Sequence, residues 1–179
     1  VGRSRCSKPS TPRPPIVHMK AKPVFVDIDP DTYNIDVTKI EAAITPKTKA
    51  ILVVHIYGNP VNMDEVMRIA KKHNLLVVED CAHACFAKYN GRYVGSYGDV
   101  NAFSFNPGKN LGAYGDAGAI ATSDEKFFTL VNKIYDHGRL SNYLHDVIGY
   151  NLRMDGLQGG VLSVKLKYIE KWTTLRQEH

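Results

Sequence analysis

The chain has no run of eighteen apolar residues, and no charged start followed by an apolar stretch. It therefore reads as having neither a membrane-spanning helix nor a signal peptide, and is expected to be soluble and cytoplasmic with no membrane partner. Cysteine is scarce: Cys6, Cys81 and Cys85 are an odd number for a disulfide framework. They are expected to be reduced thiols. A nucleotide-hydrolysing loop is excluded as well. Gly108-Lys109 has Phe103 where that motif needs its first glycine, and Asn110 where it needs Ser or Thr. Gly112, Gly115 and Gly118 lack the spacing of a dinucleotide-binding turn. No internal repeat is present.

Acidic residues are missing from one place in particular. Residues 1–22 hold Arg3, Arg5, Lys8, Arg13, Lys20 and Lys22 with no acid, although the whole chain carries only +5. The remainder thus sums to −1, and a nucleic-acid partner is not expected for the folded part. The first 20 residues form a basic, proline-rich, atypical segment that reads as disordered or as a frame-shifted or foreign stretch.

What is present is an alternation of strand and helix patterns over 179 residues, enough for one sizeable core. Pro23 to Ile28 reads as a buried strand, Val37 to Ile44 as a short helix behind Asp36, and Ala50 to Ile56 as a central strand. Met63 to His73 reads as a helix capped by Asn62, and Leu75 onward as the next strand, ended by Glu79-Asp80. Ala102 to Phe105 and Ala117 to Thr122 are further strands, Asp124 to Tyr135 a helix, and Gly156 to Arg176 one long amphipathic helix. Such an order calls for a three-layer α/β/α fold with a mostly parallel sheet, its ligand site at the carboxyl ends of the strands.

Three strand ends carry polar groups there: His55 with Tyr57, Glu79-Asp80, and Ser104 followed by Lys109. Lys109 lies on a glycine-containing loop among apolar neighbours, a setting that lowers a lysine pKa and frees its amine to form a Schiff base. Asp80 either caps a helix or holds the protonated ring nitrogen of a pyridine cofactor. Cys81, His83 and Cys85 alternate and would share one face if extended. No second ligand pair accompanies them, so no metal is expected and packing is the preferred reading.

Several linked segments resemble one family. Glu79-Asp80-Cys81-Ala82-His83-Ala84, Gly95-Ser96-Tyr97-Gly98-Asp99, Phe103-Ser104-Phe105 through Pro107-Gly108-Lys109-Asn110-Leu111-Gly112 to Gly118, His137-Gly138-Arg139 and Gly149-Tyr150-Asn151-Leu152-Arg153 are similar to DegT/StrS-type sugar aminotransferases. Leu157-Gln158 and a helix with Lys165-Leu166 agree with this. The likeness runs from about Ala21 to Arg176.

The resemblance implies a fold-type-I enzyme using pyridoxal 5'-phosphate as a homodimer, with glutamate as amino donor and a nucleotide-linked keto sugar as acceptor, in amino-sugar biosynthesis. It implies that Lys109 bonds the cofactor and shuttles protons, that Asp80 pairs with the pyridine nitrogen, and that Ser104 holds the phosphate. Asn151 would reach the phosphate of the neighbouring subunit's cofactor, and His83 stands where many members have glutamine beside the ring. The wording around Lys109 resembles members acting on 3-keto sugars. Residues 21–150 would be a partial cofactor-binding large domain and 151–179 a long helix leading to an absent small domain, so the chain reads as a fragment. The rivals are a related dehydratase, disfavoured because the resembling members replace this lysine by histidine, and an inactive relic or regulator that pairs with a partner chain.

Overall fold

The computed structural model describes residues 13–178; Arg3, Arg5, Cys6 and Lys8 lie outside the described residues. Arg13–His18 form a short helix, α1, with two prolines in its first turn, where a missing N–H costs nothing. The segment expected to be disordered is therefore helical over this stretch. Residues 23–28 depart from the expected buried strand. They make only an isolated antiparallel bridge from Ile28 to Ile35, and Val24 and Phe25 are 60% and 62% exposed. An apolar run gives strand propensity, but a strand forms only beside a partner ladder, and none flanks this run among the described residues.

Asp36 accepts the Thr38 N–H at 3.0 Å and starts a single 3-10 turn, Val37–Lys39, that runs into α2 (Ile40–Ala43). β1 is Ala50–Val54, shorter than expected because the chain turns at once into a second 3-10 turn, Ile56–Gly58. In that turn Tyr57 sits at φ 55°, a left-handed conformation costly for a bulky residue. α3 (Met63–His73) starts where Asn62 accepts the Glu65 N–H at 3.2 Å and stops at left-handed Asn74. Its buried stripe, Met63, Val66, Ile69 and Ala70, packs with Ile51 and Val53 of β1 and Val77 of β2 (Leu76–Asp80).

A two-residue turn, Asn90-Gly91, joins the small hairpin β3 (Lys88–Tyr89) and β4 (Arg92–Tyr93). β5 (Val100–Ser104) and β6 (Gly118–Ala121) complete a sheet of order β1-β2-β5-β6, parallel except for the antiparallel β6. α4 (Glu125–Tyr135) follows, capped by Asp124, whose carboxylate accepts the Lys126 and Phe127 N–H groups.

The expected single C-terminal helix is two helices, α5 (Gly156–Leu166) and α6 (Ile169–Gln177). The helix is interrupted at Lys167-Tyr168, where Tyr168 sits at φ −110° and ψ −5°, stretched from ideal helical values, and its ring stacks on Trp172. The break turns Ile169 into a second core cluster with Leu162, Leu111 and Ala113. Leu157 and Val164 in α5 are 75% and 58% exposed.

Candidate active site

The parallel register sets what the strand ends present. Val54 lies beside Asp80, and Asp80 beside Ala102, so these residues and Ser104, two further along β5, share one face of the sheet. Val53, Glu79 and Asn101 share the other, the face covered by α3 and sealed from solvent. Adjacent in sequence, Glu79 and Asp80 are thereby sent to different surroundings.

His55 and Glu79, expected to face a ligand, are instead part of the core. His55 Nδ1 accepts the Val61 N–H at 3.0 Å, which places the ring hydrogen on Nε2, and Nε2–H donates to Glu79 Oε2 at 3.0 Å. Glu79 also accepts the N–H groups of Gly95 at 2.8 Å, Tyr97 at 2.8 Å and Gly98 at 2.6 Å. Burial opposes ionisation of this carboxyl, but the bonds from His55, Gly98, Gly95 and Tyr97 outweigh it and hold its pKa below the ordinary range. The pair is a peg that pins the 94–98 loop to the ends of β1 and β2.

The same chemistry bears on the metal question. Among the described residues, His55, Glu79 and Cys81 bring possible ligand atoms within 4.8 Å of one another. Both His55 nitrogens are already committed, both Glu79 oxygens accept backbone hydrogens, and burial pushes the Cys81 thiol pKa well up, so that it stays protonated. This set is a hydrogen-bonded core rather than a ligand cage. Nor do Cys81, His83 and Cys85 share a face. Consecutive turns, with Ala84 N–H on Cys81 O and Ala87 N–H on Ala84 O, bury Cys81 with Val94 and lay Cys85 against the second core cluster.

Asp80, half-buried, accepts the Ala82 N–H on Oδ1 at 3.0 Å, and its Oδ2 has no hydrogen-bond partner among the described residues. His83 is exposed, and the Tyr57 ring stacks beside it with centroids 6.3 Å apart and planes 21° apart. Gly58 presses on the same turn, since a Cβ there would come within 3.2 Å of the His83 carbonyl. Ser104 ends β5, its hydroxyl accepting the Asn106 N–H at 3.4 Å.

Lys109 follows on a loop that folds back on itself. Its N–H donates to Asn106 O at 2.8 Å, and Ala113 N–H closes the neck on Phe105 O at 2.8 Å. A Cβ on Gly112 would come within 2.4 Å of Pro107 O, so only glycine allows this approach. Asn151 is exposed and makes an isolated antiparallel bridge to Asp136 at the end of α4. Strand-end reasoning alone missed the groups that hold the lysine loop from α5 and α6: Gln158, Lys165 and Arg176. Only the wording of the related motifs singles out Gln158 and Lys165.

The sequence matches the profile of the DegT/DnrJ/EryC1/StrS aminotransferase family over residues 10–179. The matched range thus begins upstream of Ala21. A pleiotropic regulatory protein of Geobacillus stearothermophilus is 50% identical over 164 residues, 92% of this chain and 44% of that protein. A dTDP-3-amino-3,6-dideoxy-alpha-D-galactopyranose transaminase of Aneurinibacillus thermoaerophilus is 50% identical over 88% of this chain and 44% of its own length. The crystal structure of the E. coli GDP-4-keto-6-deoxy-D-mannose-3-dehydratase with bound hydrated PLP superposes with a TM-score of 0.89 at 27% identity, over 96% of this chain and 49% of that one. The chain spans less than half the length of these curated relatives.

Proposed function

The chain belongs to the DegT/DnrJ/EryC1/StrS aminotransferase family, and we propose that it is the cofactor-carrying part of a pyridoxal-phosphate transaminase acting on a nucleotide-linked keto sugar. The observation that carries this reading is the placement of Asp80, Ser104 and Lys109. Asp80 and Ser104 share one sheet face at adjacent strand ends, and the lysine loop leaves β5 directly after Ser104. These residues fit the cofactor chemically: Asp80 has a carboxylate oxygen to give to a ring nitrogen, Ser104 a hydroxyl for a phosphate, and Lys109 a primary amine for an aldehyde.

Pyridoxal phosphate, when bound, supplies an electron sink for a carbanion next to nitrogen. Asp80 holds a proton at the pyridine nitrogen through charge attraction. The Lys109 amine would take the α proton of the donor as a general base in the first half-reaction and, as a general acid in the second, would deliver a proton to the acceptor carbon. Ser104 anchors the phosphate by its O–H, and His83, steadied by Tyr57, flanks the ring. Asn151, exposed beside Asp136 at the end of α4, would serve the site of a second copy in a homodimer, as the family resemblance implies. Residues 21–150 form the cofactor-binding part, and 151–179 lead toward a further domain.

The transaminase relative from Aneurinibacillus thermoaerophilus carries a 3-amino group in its name. With the Pro107 to Gly118 wording, that supports a 3-keto sugar as acceptor; glutamate as donor rests on the family resemblance alone. A second reading, a regulator that pairs with a partner chain, is favoured by the name of the Geobacillus relative. A dehydratase is disfavoured by Lys109 itself.

The test is retention of pyridoxal phosphate after desalting, followed by borohydride reduction and peptide mapping. Pyridoxyl mass on the peptide holding Lys109, absent from Lys109→Ala, is the expected result. Folded protein that retains no cofactor would support the regulatory reading and defeat the enzymatic one.

A further inference from the structure

The lysine loop lies antiparallel along the two C-terminal helices. Asn110 Oδ1 receives the Arg176 guanidinium, Gly112 O receives Lys165 Nζ at 2.6 Å, and the Tyr114 N–H donates to Gln158 Oε1 at 2.9 Å. As the loop number rises by two, the helix partner moves back toward the start of α5. The alternate residues, Leu111 and Ala113, are buried against Leu162 and Ile169. The loop is thus held on its apolar side by packing and on its polar side by three groups from α5 and α6.

The Lys165 contact differs from the other two in where it acts. Gly112 is the neck of the loop, pressed so closely on Pro107 that no side chain fits between them. Fixing Gly112 fixes Pro107, and these two bracket Lys109 from both sides. The ammonium is half-buried, bonds to a backbone carbonyl, and lies 4.8 Å from the centroid of the Tyr114 ring, which adds a cation–π attraction. A charged donor makes a stronger hydrogen bond than a neutral one, and its removal leaves the carbonyl without that partner. Gln158 is neutral and acts beyond the neck, and Arg176 meets a side chain rather than the backbone.

We infer that Lys165 is a positioning residue for Lys109: through the Gly112 carbonyl it keeps the 107–112 loop closed and so holds the reactive amine in place. This rests on Lys109 being the residue that bonds the cofactor, but half of the test is independent of that reading. Amide hydrogen exchange is measured on the cofactor-free chain for the parent, Lys165→Met and Lys165→Arg. The Lys109 and Ala113 amides, both bonded inside the loop, are expected to exchange about tenfold faster in the methionine variant, with α3 and β2 unchanged. Arginine, which keeps the charge and the donor, restores protection.

The second readout is the rate at which added pyridoxal phosphate is captured on Lys109 and trapped by borohydride. It should fall by a similar factor in Lys165→Met and recover in Lys165→Arg. If Lys165→Met does not fold, Lys165→Gln, which keeps a neutral donor, carries the same comparison. Unchanged loop exchange, loss of protection spread evenly over the sheet, or failure of arginine to restore it would each overturn the inference. Absence of capture in the parent chain would defeat the cofactor reading and leave the exchange result standing.

Discussion

Nε2–H of His55 donates to Oε2 of Glu79 across 3.0 Å, with both side chains fully enclosed. The carboxylate is taken out of water and is tolerated only because His55 and three backbone N–H groups replace the lost hydration. Cutting this peg has consequences on both sides of it.

Glu79→Ala is expected to destabilise the chain by about 3–5 kcal/mol, the range for breaking a buried charged network by removing one member. Urea unfolding followed by circular dichroism measures it. A loss under about 1 kcal/mol would mean that the 94–98 loop does not depend on this carboxylate.

The same group gives a direction to the pH dependence. Its folded pKa lies below the ordinary value, so the unfolded chain binds more protons in the acid range. Its stabilising contribution is fully present above the unfolded carboxyl value of about 4.3 and is lost as pH falls through the folded value. Glu41, held at about 2 by hydrogen bonds from Lys72 and His73, acts in the same sense. Unfolding midpoints should be flat from neutral pH down to the carboxyl range and then fall, more shallowly in Glu79→Gln.

Ile69 is 1% exposed on the buried stripe of α3 and packs with Ile51, Val53 and Val77 of the parallel strands. Ile69→Ala should cost about 2–5 kcal/mol and Ile69→Val about 0.5–1.5 kcal/mol, because the helix cannot collapse onto the sheet to refill the space. Denaturant midpoints of the two variants rank the losses. Equal losses would mean that the site relaxes freely.

Burial pushes the Cys85 thiol up to about 11 and Cys81 further still. Both should resist alkylation at pH 8 in the folded chain, since the thiolate is the reacting species. Mass spectrometry of iodoacetamide-treated protein should show these two sites modified only after denaturation. Rapid labelling of Cys81 in folded protein would contradict its enclosure.

Asp80→Ala removes a half-buried carboxylate with a single internal hydrogen bond, so its thermal midpoint should move by only a few degrees. On the proposed transaminase reading, with glutamate as trial donor, cofactor-dependent exchange of the donor's α proton into deuterated water should nonetheless fall by about a hundredfold or more. NMR of the glutamate signal follows this. Equal loss of fold and exchange would make Asp80 a structural residue.

The elements readable along the chain were those written locally. Asn62 before the Val66, Ile69 and Ala70 stripe specified α3 with its cap, and the apolar runs ending at Val54 and Asp80 specified parallel strands, since caps and periodicity act over a few residues. The family was readable as well, in the linked motifs from Glu79 to Arg153. Other outcomes depended on neighbours far off in sequence. Alternation says that Glu79 and Asp80 face opposite ways, but α3 decides which of them is enclosed, so His55 and Glu79 became a core peg while Asp80 kept a free oxygen. Residues 23–28 had strand propensity without a ladder, and the final helix broke at Tyr168 because Ile169 had a core to enter. The grip of Gln158, Lys165 and Arg176 on the lysine loop joins residues 44, 53 and 66 positions apart. No local pattern encodes such contacts; they exist only once the packing of Leu111 and Ala113 against Leu162 and Ile169 brings the two segments together.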